Sequence, residues 1–176
     1  MKILNQIFQK AKKINATIIL PEANHDRRVY NAAKSILKSK LSNLIVFGKS
    51  EQFEPCFKTN RCQIIDIETY PKTEFAKQLY ELRKHKGITQ QKANSLIKQP
   101  LYFAMLMLLN NMADGVVAGA CNTTAQVLLP ALQIIKTKPN KQYVTGSTLM
   151  VKNGCKPLLF GDVSLIAAPT SEMLAE

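Results

Sequence analysis

Residues 113–124 have the sequence Ala113-Asp114-Gly115-Val116-Val117-Ala118-Gly119-Ala120-Cys121-Asn122-Thr123-Thr124, and they say most about the fold. The segment 115–119 is apolar and rich in small residues, which predicts a buried strand that enters a tight turn. The following Asn and Thr residues are types that cap a helix. In open α/β sheets, ligands lie beyond the carboxyl ends of strands, and a helix start favours an anion. The stretch therefore predicts a phosphate site, or alternatively a turn at Gly119 and a helix cap at Thr123 with no ligand.

The residues before this stretch alternate between strand and helix patterns. Short apolar runs rich in β-branched residues predict buried parallel strands at 16–20, 44–48 and 63–67. Apolar residues at helical spacing, with caps and first-turn prolines, predict helices at 3–14, 29–37, 71–85, 89–97 and 100–110. This alternation is typical of a doubly wound α/β sheet.

The pattern changes near Tyr143. Short strand patterns follow one another at 142–145, 158–161 and 163–167, and a proline and a cap then open a helix at 169–176. A chain of 176 residues suits one domain, or one domain and the start of another. We therefore expect a first α/β lobe over residues 1–142 and the start of a second lobe over residues 143–176.

The composition argues against two classes of partner. The net charge is +12, but the basic residues are scattered and form no stripe interleaved with aromatic residues, so we expect no nucleic-acid partner. The apolar run from Leu101 to Leu109 is about half the length that a membrane helix needs, so we expect no membrane span. The sequence also contains no phosphate-binding P-loop, no dinucleotide-binding fingerprint and no nucleophile elbow.

The cysteines and histidines predict no metal site. The four cysteines show no C-x-x-C spacing and no accompanying histidine cluster; they are Cys56, Cys62, Cys121 and Cys155. The N-terminus has no signal-peptide pattern, so we expect a cytoplasmic protein with free, mostly buried thiols. His25 and His85 lie among polar and charged residues, which indicates solvated side chains.

Several blocks of the sequence resemble one family. The pattern Ala-Asp-Gly-x-Val-x-Gly-Ala-x-x-Thr-Thr at 113–124, followed by Pro-Ala-Leu-Gln-Ile-Ile-Lys-Thr-Lys-Pro at 130–139, resembles the phosphate acetyltransferases and their phosphate butyryltransferase relatives. Further blocks at 18–29, 80–89, 160–162 and 169–176 resemble the same family. They cover nearly the whole chain, in the order of the family's N-terminal portion.

The resemblance implies a fold and a reaction. The fold would be two α/β lobes with a cleft, of the isocitrate/isopropylmalate dehydrogenase-like type. The reaction would transfer an acetyl group between acetyl phosphate and coenzyme A, with coenzyme A as substrate and no bound cofactor or metal. The resemblance also implies a homodimer or a complementing C-terminal chain as partner.

The resemblance also implies which residues bind substrate. Arg83, Asn122, Thr123 and Thr124 match family residues linked to substrate binding. The catalytic residues are unknown here, because the serine-arginine pair and the aspartate that the family uses would lie beyond Glu176.

Two departures from the family pattern bear on activity. Leu129 stands where the family usually has an arginine before Pro130. A leucine cannot pair with phosphate, and the loss of one charged contact costs about 1.5–3 kcal/mol of binding. The other departure is the missing C-terminal segment, so the chain resembles a truncated family member.

These departures leave three hypotheses open. The chain is an acyltransferase that works only when another chain supplies the missing part, a non-catalytic remnant of a split or decaying gene, or an acyl-CoA-binding module. In each case we expect a poorly stable monomer, because incomplete packing exposes strand edges and apolar faces.

Overall fold

The computed structural model describes residues 2–161, 165 and 169–175. The described part divides into two compact units, and each is described by itself. One unit is Ala11–Ile135; the other combines the residues up to Lys10 with those from Lys136 onward. The predicted division at residue 142 stays a prediction.

The unit Ala11–Ile135 is built on a parallel sheet. Its strands are β1 (Thr17–Leu20), β2 (Asn43–Phe47), β3 (Cys62–Ile65) and β4 (Gly115–Val116), in the spatial order β3-β2-β1-β4. Ile18 pairs with Leu44 on one side and with Gly115 on the other, both in parallel register. An α/β fold with a parallel sheet is therefore confirmed.

Helices cover both faces of this sheet. They are α2 (Arg27–Ser39), α3 (Thr73–Arg83), α4 (Gln90–Leu96), α5 (Pro100–Leu109) and α6 (Thr124–Ile134). Helix α1 (Lys2–Ile14) begins in the other unit and ends in this one. Short 3-10 turns lie at Ser50–Gln52, Pro55–Phe57 and Lys84–Lys86. Alternate strand residues enter two separate cores, as the period of two in a strand requires. Leu44 and Val46 pack with α2, and Ile45 and Phe47 pack with α3, α4 and α5.

Helix α5 explains the apolar run that begins at Leu101. The helix is apolar on all sides, and its residues from Tyr102 to Met107 are buried. A helix that is apolar all round belongs in a protein core when it is this short. None of the described helices is both long and apolar enough to cross a membrane.

The second unit contains a small antiparallel hairpin. Strands β5 (Ser147–Met150) and β6 (Leu158–Gly161) pair from Ser147 with Gly161 to Met150 with Leu158, and all eight residues are exposed. A short helix α7 covers Ser171–Ala175. An isolated two-stranded hairpin is marginally stable in water.

Some predicted boundaries are wrong. Helix α3 begins at Thr73 rather than at Pro71, with Lys72 at its N-cap position. In the described part of the chain, residues 142–145 do not form a strand. The strand predicted at 163–167 lies outside the described residues, apart from Leu165.

The prediction of mostly buried thiols is also wrong. All four cysteines are free, but Cys56, Cys121 and Cys155 are exposed. They lie in turns and loops rather than on the core face of a strand. Cys62 begins β3 and is partly buried, and burial raises the pKa of its thiol to about 11.

Candidate functional site

The candidate site lies where the order of the strands reverses. Strands β2 and β3 follow β1 on one side, whereas β4 pairs on the other side of β1. A crevice outside the carboxyl ends of the strands at such a point is where open α/β sheets bind ligands. Here the residues after β1 meet the turn after β4.

The buried side chain at this point is Glu22, which follows β1 after Pro21 and is 3% exposed. Its carboxylate accepts hydrogen bonds from the turn formed by residues 119–122. The Gly119 amide lies 3.1 and 3.0 Å from the two oxygens, and the Ala120 and Cys121 amides lie at 2.8 and 3.3 Å. The Asn122 side-chain amide donates at 2.5 Å. Glu22 therefore occupies the turn that directly precedes the helix start at which the sequence predicts a phosphate.

The conformation of the turn depends on Gly119. Its φ of +109° lies in a region that residues with a Cβ rarely adopt. That conformation lets successive amides point toward one centre, which is the geometry of a backbone anion site. The glycine predicted to make a tight turn does so, around a carboxylate of the same chain.

The hydrogen bonds also decide the charge state of Glu22. Burial alone would raise the pKa of its carboxyl. The bonds from Asn122 and from the amides of Ala120, Gly119 and Cys121 outweigh burial and hold this pKa below its ordinary value. A carboxylate that is ionised and saturated with donors is a poor base for a substrate proton.

Arg28 binds the same turn through a backbone carbonyl oxygen. Its guanidinium donates to the Ala120 carbonyl oxygen at 2.5 Å and to the Asp26 carboxylate at 2.7 Å. Asp26 also caps α2 by accepting from the amides of Arg28 and Val29. The Arg28 side chain holds the pKa of the Asp26 carboxyl down at about 2.

The threonine pair begins α6. Thr123 is the N-cap: its hydroxyl accepts from the Gln126 amide at 3.3 Å, and the Gln126 side chain accepts from the Thr123 amide at 2.7 Å. This reciprocal arrangement is a capping box. Thr124 is the first helical residue and is exposed. The structure thus places Asn122, Thr123 and Thr124 together, with Thr123 used as a cap.

Arg83 lies on a different helix, α3. It ends α3 and is partly buried, and its charge lowers the pKa of the Tyr102 phenol, although burial raises that pKa more. Tyr102 donates to the Gln133 side chain at 2.9 Å. Gln133 lies about 14 Å along the helix from Thr124, at 1.5 Å per residue. The roles predicted for Arg83 and for residues 122–124 in substrate binding stay predictions.

An apolar groove runs beside the turn. It has a volume of about 590 Å³, and Glu22, Arg28 and Ala120 lie at its edge. Side chains of β1 and α2, among them Leu20 and Val29, line part of the rest, together with Ala11 and Ile14 of α1. His25 and His85 are exposed, as predicted. Within the described ranges, no three His, Cys, Asp or Glu side chains come together to hold a metal ion.

Glu22 and Arg28 lie in the block 18–29 that resembles the family, but the sequence alone assigned them no role. One feature of the sequence does indicate that Glu22 needs a partner. A carboxylate that directly follows a buried strand must either reach solvent or find hydrogen-bond donors. Glu22 finds them about 100 positions further along the chain.

Comparisons with known proteins identify relatives of the whole chain. The family described as "Phosphate acetyl/butaryl transferase" matches residues 2–176. Phosphate acetyltransferases of Clostridium acetobutylicum and Acetivibrio thermocellus are 38% and 36% identical to this chain over its full length. The alignments cover 56% and 55% of those proteins, so the chain spans about half the length of the curated relatives it matches.

Two solved structures share the fold. EutD phosphotransacetylase from Staphylococcus aureus matches with a TM-score of 0.82, and a phosphotransacetylase from Streptococcus pyogenes with a TM-score of 0.85. Each is 29% identical, and each match covers 99% of this chain and 54% of the other chain.

Proposed function

The chain belongs to the phosphate acetyl/butyryl transferase family, and we propose that it takes part in transferring an acetyl group between acetyl phosphate and coenzyme A. The observation that carries the proposal is the position of Thr124. This residue begins α6 at the carboxyl edge of the sheet, at the point where the order of the strands reverses. The first-turn amides and the dipole of a helix favour an anion there.

The reaction sets clear requirements. The sulfur of coenzyme A attacks the acetyl carbonyl carbon, a C–S bond forms, and the C–O bond to phosphate breaks. The thiol proton must pass to a base, and the departing phosphate must be stabilised by donors or cations. Thr124 and the start of α6 would bind the phosphate. Glu22 is a poor candidate for the base, because its carboxylate is buried and saturated with hydrogen bonds.

The base and the remaining cations would come from residues outside this site. The family resemblance assigns them to a serine-arginine pair and an aspartate, and we propose that these lie in the part of the relatives that the alignments do not cover. We propose that residues 1–176 alone bind substrate without turnover.

A second candidate function is substrate binding without catalysis. Leu129 favours it. The side chain is 53% exposed on α6, five residues after the helix start, and as a leucine it provides no charge at this surface position. A non-catalytic remnant, or a module that binds acyl-CoA, would tolerate this leucine.

A complementation assay distinguishes the two functions. The purified chain is mixed with acetyl phosphate and coenzyme A, with and without the segment of the Clostridium acetobutylicum enzyme that lies outside the aligned region. Acetyl-CoA formed only with the segment, and lost again with Thr124→Ala, supports acetyl transfer at this site. Coenzyme A binding without turnover, in a complex shown to form, supports the non-catalytic function. Neither binding nor turnover would refute both.

A further inference from the structure

We propose that Glu22 is a positioning residue: its carboxylate acts as an internal anion that shapes the turn 119–122 and so places the start of α6. Only the effect of Glu22 on substrate binding rests on the proposed function. The role of Glu22 in the turn can be tested without substrate.

Four hydrogen-bond donors converge on one carboxylate. Three consecutive backbone amides and the Asn122 side chain all donate to Glu22. Consecutive amides that point to one centre form an anion site, and here the anion is a buried carboxylate of the same chain. Gly119 adopts its positive φ to bring them together. The turn therefore has this shape only while an anion lies at its centre.

The turn connects directly to the start of α6. Asn122 donates to Glu22 and directly precedes Thr123, the N-cap of α6. Arg28 binds the Ala120 carbonyl oxygen on the outer side of the turn. The end of β1 and the start of α6 are thereby linked through one carboxylate. A substrate phosphate cannot use the amides of the turn while Glu22 is present, so it must approach from the side of Thr124.

Cys121 provides a natural reporter of this arrangement. Its amide donates to Glu22, and its thiol is exposed. Burial raises the pKa of the Cys121 thiol. The charge of Glu22, the hydrogen bond that the Glu22 carboxylate accepts from the thiol and the charge of Asp26 raise this pKa further, while the charge of Arg28 lowers it. Loss of the Glu22 charge should therefore lower this pKa and speed reaction with an alkylating agent, because the thiolate is the reactive form.

The test uses Glu22→Gln, Glu22→Ala and Glu22→Asp. Glu54→Gln is the matched control, because Glu54 is an exposed carboxylate whose partner is Lys34. The rate of Cys121 alkylation is measured across pH by mass spectrometry, below the unfolding temperature of each variant, with Cys155 as the internal standard. We expect the Glu22→Gln profile to shift to lower pH, with a rate at least about threefold higher at neutral pH. The control and Glu22→Asp should remain close to the wild type.

Chemical rescue separates a positioning anion from general damage to the fold. Glu22→Ala leaves the donors of the turn around an empty space the size of a small carboxylate. We expect its melting temperature to fall by on the order of 10 °C. Sodium formate should restore part of that loss and protect Cys121, whereas sodium chloride at equal ionic strength should do neither. A Glu22→Ala variant that folds only in the presence of formate would also support the proposal, because its folding would then depend on an added anion.

Two results would overturn the proposal. One is an unchanged Cys121 profile in Glu22→Gln; the other is a Glu22→Ala variant that formate neither stabilises nor refolds. Inorganic phosphate binding is measured separately on the wild type, Glu22→Gln and the control. Weaker phosphate binding in Glu22→Gln alone supports the link to the site. If the wild type binds no phosphate while formate rescue succeeds, the proposed function fails and the role of Glu22 stands.

Discussion

Replacing Leu129 with arginine should increase the affinity of the chain for phosphate. Leu129 lies on α6 five residues after Thr124, and its side chain is 53% exposed. Side chains on a helix lean toward its N-terminus, so an arginine at this position extends back toward the first turn of α6. A planar guanidinium there can pair with two phosphate oxygens.

The size of the effect follows from exposure and charge. A hydrogen bond to a charged group contributes about 1.5–3 kcal/mol, and solvent screening at a half-exposed position reduces this to about 1 kcal/mol. The dissociation constant for phosphate should therefore fall by about fivefold. Leucine and arginine have similar helix propensities, and the arginine stem can cover the same surface, so we expect a change in stability below about 1 kcal/mol.

The assay is isothermal titration with inorganic phosphate and with acetyl phosphate at two salt concentrations. Leu132→Arg is the control, because Leu132 is 45% exposed on the same helix but lies further from its start. Tighter binding in Leu129→Arg alone, reduced at the higher salt concentration, is the expected result. Equal tightening in both variants would indicate a general effect of charge, and no tightening in Leu129→Arg would refute the placement of phosphate at the start of α6.

Four further predictions concern the helix caps, the core and the exposed face of α6. Thr123→Ala removes the N-cap and should destabilise the chain by about 1 kcal/mol in urea unfolding, with Thr123→Ser close to the wild type. The pKa of Asp26 is lowered to about 2, so its stabilisation is present above about pH 4 and is lost as the pH falls through about 2; the stability gap to Asp26→Asn should close over that range. Phe103 is fully buried against Phe47, with ring centroids 5.3 Å apart, so Phe103→Ala should cost about 3–5 kcal/mol in the same assay. The exposed apolar side chains of α6 should make the isolated chain self-associate at rising concentration in analytical ultracentrifugation, and Leu132→Glu should weaken that association.

The sheet was predictable because parallel strands are buried on both faces. Runs such as Leu44 to Phe47 are apolar without interruption, and that pattern needs no information from the rest of the chain. Helix α5 was predictable for a similar reason, since Pro100 sets its start. The strand prediction was wrong where strand formation depends on a partner strand. Residues 142–145 have strand character, but β6 pairs with Ser147–Met150 instead.

The centre of the site was not predictable in this way. The turn at Gly119 and the cap at Thr123 are local features, and the sequence indicated both. The occupant of the turn is a non-local feature, because Glu22 lies about 100 residues earlier. A turn that binds phosphate and a turn that binds a carboxylate of its own chain require the same local residues. Only the structure distinguishes them.

The charges around the turn explain why position 129 matters. Glu22 and Asp26 are ionised carboxylates, and Arg28 is the cation bound between Asp26 and the turn. These groups together are net negative, although the whole chain carries a charge of +12. Arg28 is already bound to Asp26 and to the turn, so the dipole of α6 is the attraction that remains for an incoming phosphate. A cation on the exposed face of α6 would add to this attraction, and Leu129 provides none. Weak phosphate binding by the wild-type chain and tighter binding by Leu129→Arg are therefore two consequences of one arrangement.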